Sequence, residues 1–421
     1  MEWEPSSRGE FDLIVIGAGA AGLLAAARAA ERGLRVLLLE KNAKPGVKIL
    51  MSGGTRCNLT HACDARGIVE AFGAQGRFLH SALAALSPEE LIALFENEGV
   101  PTKVEETGKV FPRSDKALHV LEALLRRLSR SGAILQLNAP VREIVRASSG
   151  FQIISSDRRW LARHVMITTG GQSYPGCGTT GDGYRWARAL GHQVVATRPA
   201  LVPVTTDAAW VHSLKGITVP DVAVRVVDLR RSADKGVKRG VCRGSFLFTH
   251  VGASGPAVLD VSRDVTGHPE PRTLALECDF LPAFSDGAFD EALRQRFSRE
   301  GKKGIGSLLP DDLPRRLIEA VLADAGIPAE RRAAEAGTEL RVRLVESLKH
   351  CRIPVSGTLG FPKAEVTAGG IALDEVDSRT MKSRLVPGLF LAGEVLDLDG
   401  PIGGFNFQAA FSTGWLAAEH V

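Results

Sequence analysis

The N-terminal part of the chain passes from an apolar run, through a glycine-rich hexapeptide, to a second apolar run. Residues 13–16, LIVI, are continuously apolar, which is typical of a strand buried on both faces. GAGAAG (17–22) follows, and an Ala- and Leu-rich helical pattern extends to about residue 31. The run RVLLL (35–39) then predicts a strand that ends on Glu40. The pattern therefore predicts a strand–turn–helix–strand unit.

The hexapeptide has the spacing GxGxxG, which dinucleotide-binding units carry between a strand and a helix. The first glycine permits a tight turn, the second lets a pyrophosphate approach the backbone, and the third lets helix and strand pack closely. The helix N-terminus offers unpaired N–H groups and a positive dipole to the phosphates. Glu40 is expected to bind a ribose diol, which favours FAD or NAD over NADP.

Further glycine clusters recur far beyond this unit and favour FAD over NAD. They stand at 53–54, 170–171, 181–183 and 403–404. An NAD enzyme usually completes its cofactor site within the first domain, whereas a long ligand that touches several chain segments needs close backbone approach at each of them. The spacing of the glycines along the chain therefore predicts FAD.

Between these clusters the chain alternates helical and strand patterns. Apolar positions with helical spacing predict helices over 88–99 and 116–131. Strand patterns follow at 134–137, 141–147, 151–155 and 165–168. The last of these strands opens onto Thr169-Gly170-Gly171. This order is that of a flavin-type domain after its first strand–helix–strand unit.

From residue 197 to residue 355 the pattern changes, and we interpret this stretch as an inserted domain. Its first part, 197–283, is punctuated by proline and has Val-rich alternating strands, whereas 284–350 has helical spacing with many Arg and Glu residues. The FAD-binding domain is therefore predicted in two parts, 1–196 and 356–421. The fold class is α/β, a glutathione-reductase-type FAD-binding Rossmann-like domain with an inserted β-barrel-like plus helical domain.

The stretch AKPGVKILMSGGTRCNLT (43–60) has no regular apolar period and predicts a loop against the cofactor. Lys48 and Arg56 are candidates to meet phosphate or flavin oxygens, and glycines 53 and 54 would let the backbone lie against the ligand. The spacing of Cys57 and Cys63 does not support a redox pair.

The C-terminal segment LAGEVLDLDGPIGGFNFQ (391–408) predicts the second half of the cofactor site. A predicted strand there ends in the sequence Ala-Gly-Glu, and the carboxylate of its last residue, Glu394, is expected to meet the ribityl chain or the pyrophosphate. Residues 403–406, GGFN, are expected to pass along the isoalloxazine edge. A helix that starts near Asn406 would direct its N-terminus at the flavin N1–C2=O locus and stabilise the reduced, anionic ring.

Composition narrows the class of protein but not the activity. The 421 residues are 44% hydrophobic and 24% charged, which is normal for a soluble enzyme of two or three domains, and the net charge of +4 is too mild to imply nucleic acid. Six cysteines without a CxxC pair or zinc-type spacing favour a reduced cytoplasmic protein without a metal site. The acidic start has no signal-peptide character, and the longest uncharged run, 13–27, is too short to span a membrane.

A basic stretch between residues 230 and 243 admits several functions. Its basic residues are Arg230, Arg231, Lys235, Lys238, Arg239 and Arg243. A solvated hairpin is favoured over an anion or NADPH landing site. RNA contact is disfavoured as well, because aromatic residues are not interleaved with the basic ones.

With these segments in place, the sequence resembles the BaiN-like, or aminoacetone-oxidase-like, family of bacterial NAD(P)/FAD-dependent oxidoreductases. The segments that carry the resemblance are IVIGAGAAGLLAA (14–26), GVKILMSGGTRCNLT (46–60), GKVFPRSDKA (108–117), GGQSYPGCGTTGDGYRWARALGH (170–192), PALVPV (199–204), FLFTHVGASGPAVLDVSR (246–263), VTAGGIALDEVDSRTMKSR (366–384) and GLFLAGEVLDLDGPIGGFNFQAAFSTG (388–414). The resemblance implies the interrupted FAD domain and FAD bound along the glycine segments. The chain departs from the family pattern at Val47, Thr55 and Ser245, where Arg, Gly and often an acid are usual.

The sequence therefore predicts an FAD-dependent oxidoreductase that acts on a small organic substrate, with flavin reduced by NAD(P)H or by the substrate itself. The alternative is a flavin-bearing RNA-modifying or RNA-binding protein. Tyr174 and His250 are the candidate catalytic residues, and the oligomeric state stays open. The predicted cofactor-binding residues are Gly17, Gly19, Ala20, Ala21, Gly22, Glu40, Lys41, Lys48, Gly53, Gly54, Arg56, Asn58, Val141, Thr169, Gly170, Gly171, Gly393, Glu394, Gly403, Gly404, Phe405 and Asn406.

Overall fold

The computed structural model describes residues 10–230 and 240–421. Most of the basic stretch that the sequence singled out (Arg231, Lys235, Lys238 and Arg239) therefore lies outside the described residues. The chain divides into two compact units, the first made of Met1–Pro199 and Glu365–Val421 and the second of Ala200–Ala364.

Strands and helices follow one another along both units. The strands are β1 (Glu10–Ile16), β2 (Val36–Leu39), β3 (Thr60–His61), β4 (Thr102–Val104), β5 (Lys109–Pro112), β6 (Ile134–Gln136), β7 (Glu143–Ala147), β8 (Gly150–Ile154), β9 (Arg159–Ile167), β10 (Val194–Ala200), β11 (Val204–Thr205), β12 (Thr218–Asp228), β13 (Cys242–Phe248), β14 (Gly252–Ser254), β15 (Leu274–Asp279), β16 (Cys351–Pro354), β17 (Gly357–Thr358), β18 (Val366–Ile371) and β19 (Leu389–Leu391). The helices are α1 (Ala20–Glu31), α2 (Val47–Thr55), α3 (Ala65–Ala71), α4 (His80–Ala85), α5 (Pro88–Asn97), α6 (Ala117–Ser131), α7 (Asp182–Ala189), α8 (Ala209–Ser213), α9 (Pro256–Thr266), α10 (Asp286–Arg299), α11 (Arg315–Asp324), α12 (Thr338–Lys349) and α13 (Phe405–Glu419).

The central sheet of the first unit is parallel where it carries the predicted nucleotide turn. Strands β6, β2, β1, β9 and β19 lie side by side and parallel, and β8 and β7 extend the sheet in antiparallel fashion. Leu13, Ile14 and Val15 of β1 are fully buried, as the uninterrupted apolar run predicted. A Rossmann-type α/β domain is the result, which confirms the predicted fold class.

Parallel strands place their carboxyl ends along one edge of the sheet, where ligands bind in open α/β folds. Strand β1 ends at Ile16, β2 at Leu39, β9 at Ile167 and β19 at Leu391. The residues that follow these ends are the GAGAAG turn, Glu40, the TTGG segment 168–171 and the AGE segment 392–394. Segments far apart in the sequence therefore meet along this sheet edge, which we call the strand edge.

Helix α13 packs closely on α1 beside this edge because both helices have small residues at the contact. A Cβ on Gly414 would lie 2.6 Å from the carbonyl oxygen of Ala21. Thr413 accepts a hydrogen bond from the backbone N–H of Gly393 at 3.0 Å, so the same helix also holds the end of β19. The C-terminal helix thus packs on α1 and also holds the end of β19.

The second unit has its own hydrophobic core and an antiparallel seven-stranded sheet in the order β16-β15-β12-β13-β14-β11-β17. Helices α10 to α12 occupy the part that the sequence predicted to be helical. The unit ends at Ala364, later than the predicted boundary at residue 355, because Gly357 and Thr358 of β17 pair with Thr205 and Val204 of β11.

Candidate cofactor site

The three glycines of the GAGAAG turn differ in what a side chain at each position would meet. Gly17 has φ +105°, and a Cβ there would lie 2.8 Å from the carbonyl oxygen of Thr168. A Cβ on Gly22 would lie only 1.9 Å from the carbonyl oxygen of Gly17. A Cβ on Gly19, by contrast, would meet no described atom within 4 Å. Packing therefore requires the first and third glycines, whereas the second faces open space.

Open space at Gly19 lies directly at the start of helix α1. The helix begins at Ala20 with Gly19 as its N-cap, and over the described residues no side chain caps it. The first N–H groups of a helix lack intrahelical partners and carry the positive end of its dipole. This end of α1 can therefore receive a phosphate group.

Glu40 is held beside this turn by backbone donors. Its Oε2 accepts a hydrogen bond from the N–H of Ala18 at 2.8 Å, and its Oε1 accepts one from the N–H of Asn42 at 2.9 Å. The N–H of Ala139 donates to the Glu40 carbonyl oxygen, which brings the segment before Val141 alongside. Glu40, the acidic residue predicted to bind the ribose diol, thus lies next to the glycine turn. Its contact with ribose stays a prediction.

Lys41, the residue after Glu40, links the strand edge to the start of helix α7. Its Nζ donates to Thr180 Oγ1 at 2.6 Å and to Asp182 Oδ2 at 2.7 Å. A Cβ on Gly183 in the first turn of α7 would lie 2.3 Å from Thr169 Oγ1. The glycine cluster at 181–183 therefore lets α7 approach the end of β9.

Two buried polar atoms of the predicted site lack a partner. Thr169 Oγ1 and Asn58 Oδ1 have no hydrogen-bond partner among the described residues. A buried polar atom without a partner costs about 1–3 kcal/mol. Both residues belong to the set predicted from the sequence, so the residues present fit a bound group with polar atoms of its own.

Glu394 anchors a polar cluster at the end of β19. Its Oε2 accepts from Lys48 Nζ at 2.6 Å, and its Oε1 accepts from Ser173 Oγ at 2.9 Å and from the N–H of Thr367 at 2.9 Å. Lys48 Nζ also donates to Ser173 Oγ at 2.6 Å. A Cβ on Gly171 would lie 2.3 Å from Thr367 Oγ1, so the glycine admits this cluster. We call Lys48, Ser173, Thr367 and Glu394 the Glu394 cluster.

Lys48→Met is expected to lower the free energy of unfolding by about 1–3 kcal/mol, because it removes a charged donor from a partly buried carboxylate. Lys44→Met, which alters an exposed lysine of the same segment, is the matched control. The double variant Lys48→Met/Glu394→Gln is expected to lose less than the sum of the single losses. Urea unfolding checks both; equal stability of Lys48→Met and wild type would contradict the account.

The glycine pair 403–404 is required by packing. Gly404 has φ +94°, and a Cβ there would lie 2.4 Å from the carbonyl oxygen of Thr60 in β3. A Cβ on Gly403 would lie 2.8 Å from the ring of Phe405. Close approach of the backbone to strand β3 thus explains Gly404 without a ligand. A bulky residue at 404 would disturb the fold, so it does not test the contact with the isoalloxazine edge.

The start of α13 is organised by an aromatic stack and by Asn406. The ring of His61 stacks on Phe405 with centroids 4.6 Å apart, and His61 Nδ1 lies 3.2 Å from the Gly403 carbonyl oxygen. Asn406 Oδ1 accepts from the N–H of Gly400 at 2.8 Å. Asn406 therefore shapes the loop before the helix, and His61 is a residue of this region that the sequence did not indicate.

Arg56 is engaged by the protein rather than left open to an anion. Its guanidinium pairs with Glu105 at 2.6 Å and lies 3.9 Å from the ring centroid of Phe111. Gly53 and Gly54 have φ of +55° and +66° and kink helix α2, where the sequence predicted a loop. The structure thus places the loop's glycines at a bend and the arginine in an ion pair.

The cysteines of this region are thiols. Cys57 and Cys63 are both free, and burial raises the pKa of the Cys57 thiol to about 12. Burial also raises the pKa of Cys63. Neither thiol has the lowered pKa of a reactive cysteine.

The two candidate catalytic residues belong to different units. Tyr174 follows the TTGG segment in the first unit, and burial raises the pKa of its phenol. His250 is exposed after β13 in the second unit.

Two further features of the described residues concern membrane spans and metal ligands. No single helix there is long and apolar enough to cross a bilayer, and one bent pair, Gly73–Ala85 with Pro88–Asn97, passes the same length and composition test together. No group of three or more His, Cys, Asp or Glu side chains in these residues is arranged to hold a metal ion.

The sheet, the glycine turn and the strand edge define a Rossmann-type dinucleotide-binding flavoprotein. The family model described as the HI0933-like protein Rossmann domain matches residues 11–420. The chain therefore belongs to this family of FAD-dependent oxidoreductases. This membership supports the predicted resemblance and the oxidoreductase class.

The chain is similar to curated proteins over nearly its whole length. It is 34% identical over 413 residues to the ribosomal RNA dihydrouridine synthase of Escherichia coli strain K12, covering 97% of both chains. It is 30% identical over 409 residues to the 3-dehydro-bile acid delta(4,6)-reductase of Clostridium scindens, covering 96% of this chain and 97% of that one. Among solved structures, 3-ketosteroid delta1-dehydrogenase from Sterolibacterium denitrificans has the same fold, with TM-score 0.51 and 15% identity over 98% of this chain and 99% of that one.

Proposed function

We propose that the protein is an FAD-dependent reductase that adds a hydride and a proton across a carbon–carbon double bond conjugated to a carbonyl group. The observation that carries the proposal is the whole-length similarity to two curated enzymes whose names state reductions of this kind. Dihydrouridine formation reduces the C5=C6 bond of uracil, which is conjugated to the C4 carbonyl. A bile-acid delta(4,6)-reductase acts on double bonds conjugated to the 3-oxo group. The two substrates differ in shape but share this electronic arrangement.

FAD would lie along the strand edge. The open face at Gly19 and the start of α1 would take the pyrophosphate, and Glu40 would take the adenosine ribose. The unpartnered Thr169 Oγ1 and Asn58 Oδ1 would gain partners. When bound, the reduced cofactor supplies a hydride. The chain's own residues bind and orient the substrate and supply the proton.

The electron donor is proposed to be NADH or NADPH that visits the flavin. The sequence has a strand-borne GxGxxG only at 17–22, so it predicts no second resident dinucleotide domain. A donor that binds and leaves before the acceptor fits this arrangement. An oxidase, in which the substrate itself reduces the flavin, is the alternative carried over from the sequence.

Uridine in ribosomal RNA is the substrate we propose first. The higher identity, 34% against 30%, lies with the ribosomal RNA dihydrouridine synthase. The mild net charge and the lack of aromatic residues among the basic ones disfavour RNA contact at the level of sequence. Dihydrouridine formation, however, requires recognition of one exposed base rather than a long basic surface. A steroid with a conjugated 3-oxo group is the second candidate, supported by the bile-acid reductase.

The test separates the two substrate classes. Purified protein loaded with FAD is incubated with NADPH or NADH and with either an unmodified ribosomal RNA transcript or a 3-oxo-4,6-diene steroid, and the products are weighed by mass spectrometry. We expect the RNA to gain two hydrogen atoms at a single uridine, and the steroid to stay unchanged. Reduction of the steroid alone would assign the second candidate, and reduction of neither would overturn the proposed function.

A further inference from the structure

Two segments of the second unit, 299–306 and 329–335, lie side by side although helix α11 separates them along the chain. The N–H of Ala333 donates a hydrogen bond to the carbonyl oxygen of Lys303 at 2.9 Å. A Cβ on Gly304 would lie 3.0 Å from a carbonyl oxygen of the facing segment, so the glycine permits the close approach. The two segments are therefore held together through their backbones, which leaves the longer side chains free to face solvent.

The pairing of these segments gathers basic side chains on one part of the surface. Five basic residues fall in the two segments, and all five are exposed. We call them the basic cluster: Arg299, Lys302, Lys303, Arg331 and Arg332. Because each segment supplies only part of the cluster, no single stretch of the sequence indicates it.

Acidic residues offset only part of this charge. Lys303 pairs with Glu300, and the Arg331 guanidinium lies 3.9 Å from the Glu335 carboxylate. With Glu330, the two segments hold three acidic residues against five basic ones, which leaves a net charge of +2. Three members of the cluster form no side-chain ion pair with the described residues, namely Arg299, Lys302 and Arg332.

The cluster suits phosphate groups. Arginine offers a planar fork of donors that matches phosphate oxygens, and lysine offers a compact positive charge. The two segments contain no aromatic residue, so they are not built to stack on bases, but contacts with phosphates need no stacking. Their one large apolar residue, Ile305, is fully buried, so they lack the exposed apolar face with which a basic helix enters a membrane surface.

We propose that the basic cluster binds the phosphate backbone of the RNA substrate. The inference rests on the proposed function, in which that substrate is ribosomal RNA. Phosphate contacts hold and orient an RNA, whereas base contacts specify its sequence. The cluster therefore raises the affinity for RNA in general, and residues that contact bases choose the uridine.

The salt dependence of binding tests the proposal. FAD-loaded wild type and the triple variant Arg299→Gln/Lys302→Gln/Arg332→Gln are titrated with a fluorescently labelled, unmodified ribosomal RNA transcript at several salt concentrations. Loss of three phosphate contacts is expected to reduce the slope of log K against log salt by about 2–3. Affinity at low salt is expected to fall by about tenfold, since each exposed ion pair contributes little. An affinity and a slope equal to those of wild type would overturn the proposal.

A matched control removes the same charge from other exposed positions of the second unit. Its substitutions are Lys215→Gln, Arg272→Gln and Arg315→Gln, all outside the two segments. This control is expected to bind the transcript as wild type does, and an equal loss in both triple variants would overturn the role of the cluster. Circular dichroism checks folding, because Arg299 in the last turn of α10 also favours the helix dipole.

Turnover distinguishes this inference from the proposed function. With NADPH or NADH and the transcript, the triple variant of the cluster is expected to have a higher KM for RNA, an unchanged kcat and an unchanged rate of flavin reduction. If wild type binds the transcript through the cluster but forms no dihydrouridine, the proposed function is overturned and RNA binding stands. If wild type forms dihydrouridine and the triple variant keeps its KM, only the role of the cluster is overturned. Binding to phosphatidylglycerol vesicles without binding to RNA would likewise overturn it.

Discussion

Gly19→Val is expected to purify as a folded protein that contains no FAD. The structure leaves the Cβ position of Gly19 free of described atoms within 4 Å, and the backbone there, φ −86° and ψ −166°, is extended. A valine side chain can therefore be accommodated by the protein, but it fills the space where the pyrophosphate would approach the start of α1. The cost to the fold is limited to the weaker N-cap, about 1 kcal/mol.

The measurement pairs flavin content with stability. FAD is quantified after denaturation, and unfolding is compared between the variant and wild type freed of cofactor, because bound ligand itself stabilises the folded state. Gly19→Ala, with a smaller side chain, serves as the graded control and is expected to retain part of the FAD. A fully loaded Gly19→Val protein would contradict the proposed pyrophosphate position.

Gly22→Ala, only one methyl group larger, is expected to have the opposite phenotype. Its Cβ would lie 1.9 Å from the carbonyl oxygen of Gly17 and 2.6 Å from Thr168 Oγ1. Backbone cannot yield as a flexible side chain does, so we expect a loss of about 3 kcal/mol or more of unfolding free energy.

The two substitutions therefore separate a ligand-facing glycine from a packing glycine within one motif. Thermal unfolding of the cofactor-free proteins measures the difference. Gly33→Ala, which also leaves the Cβ position open among the described atoms but lies at the far end of α1, controls for loss of a glycine from the same unit. Since Gly33 has φ +88°, that control costs some stability of its own, about 1 kcal/mol. A Gly22→Ala protein as stable as wild type would refute the packing account.

Long apolar runs and glycine spacing made much of the first unit predictable. The LIVI run and GAGAAG define strand β1 and the start of α1, because a buried parallel strand and a GxGxxG turn have few other interpretations. The end of the insert was less predictable. Residues 357–358 are small and polar, and they join the second unit only through pairing with β11, which no local pattern encodes.

Side-chain partners in the site were the least predictable feature. Ser173 and Thr367 both hydrogen-bond to Glu394 although the whole insert separates them in the sequence, and Lys48 reaches Glu394 from the other half of the chain. The glycines at 403–404 and the helix after them predict close approach of the backbone to the isoalloxazine edge, whereas the close backbone neighbour of Gly404 in the structure is strand β3. Long-range contacts of this kind depend on the finished fold, so a single sequence does not specify them.

The proposed function requires that FAD binds along the strand edge and that a nicotinamide nucleotide reduces it. Anaerobic titration of the purified wild-type protein with NADPH and with NADH tests this most directly. The account predicts one FAD per chain, whose oxidised absorbance is bleached by one of the two donors. A protein that cannot be loaded with FAD, or a bound flavin that both donors leave oxidised, would contradict it.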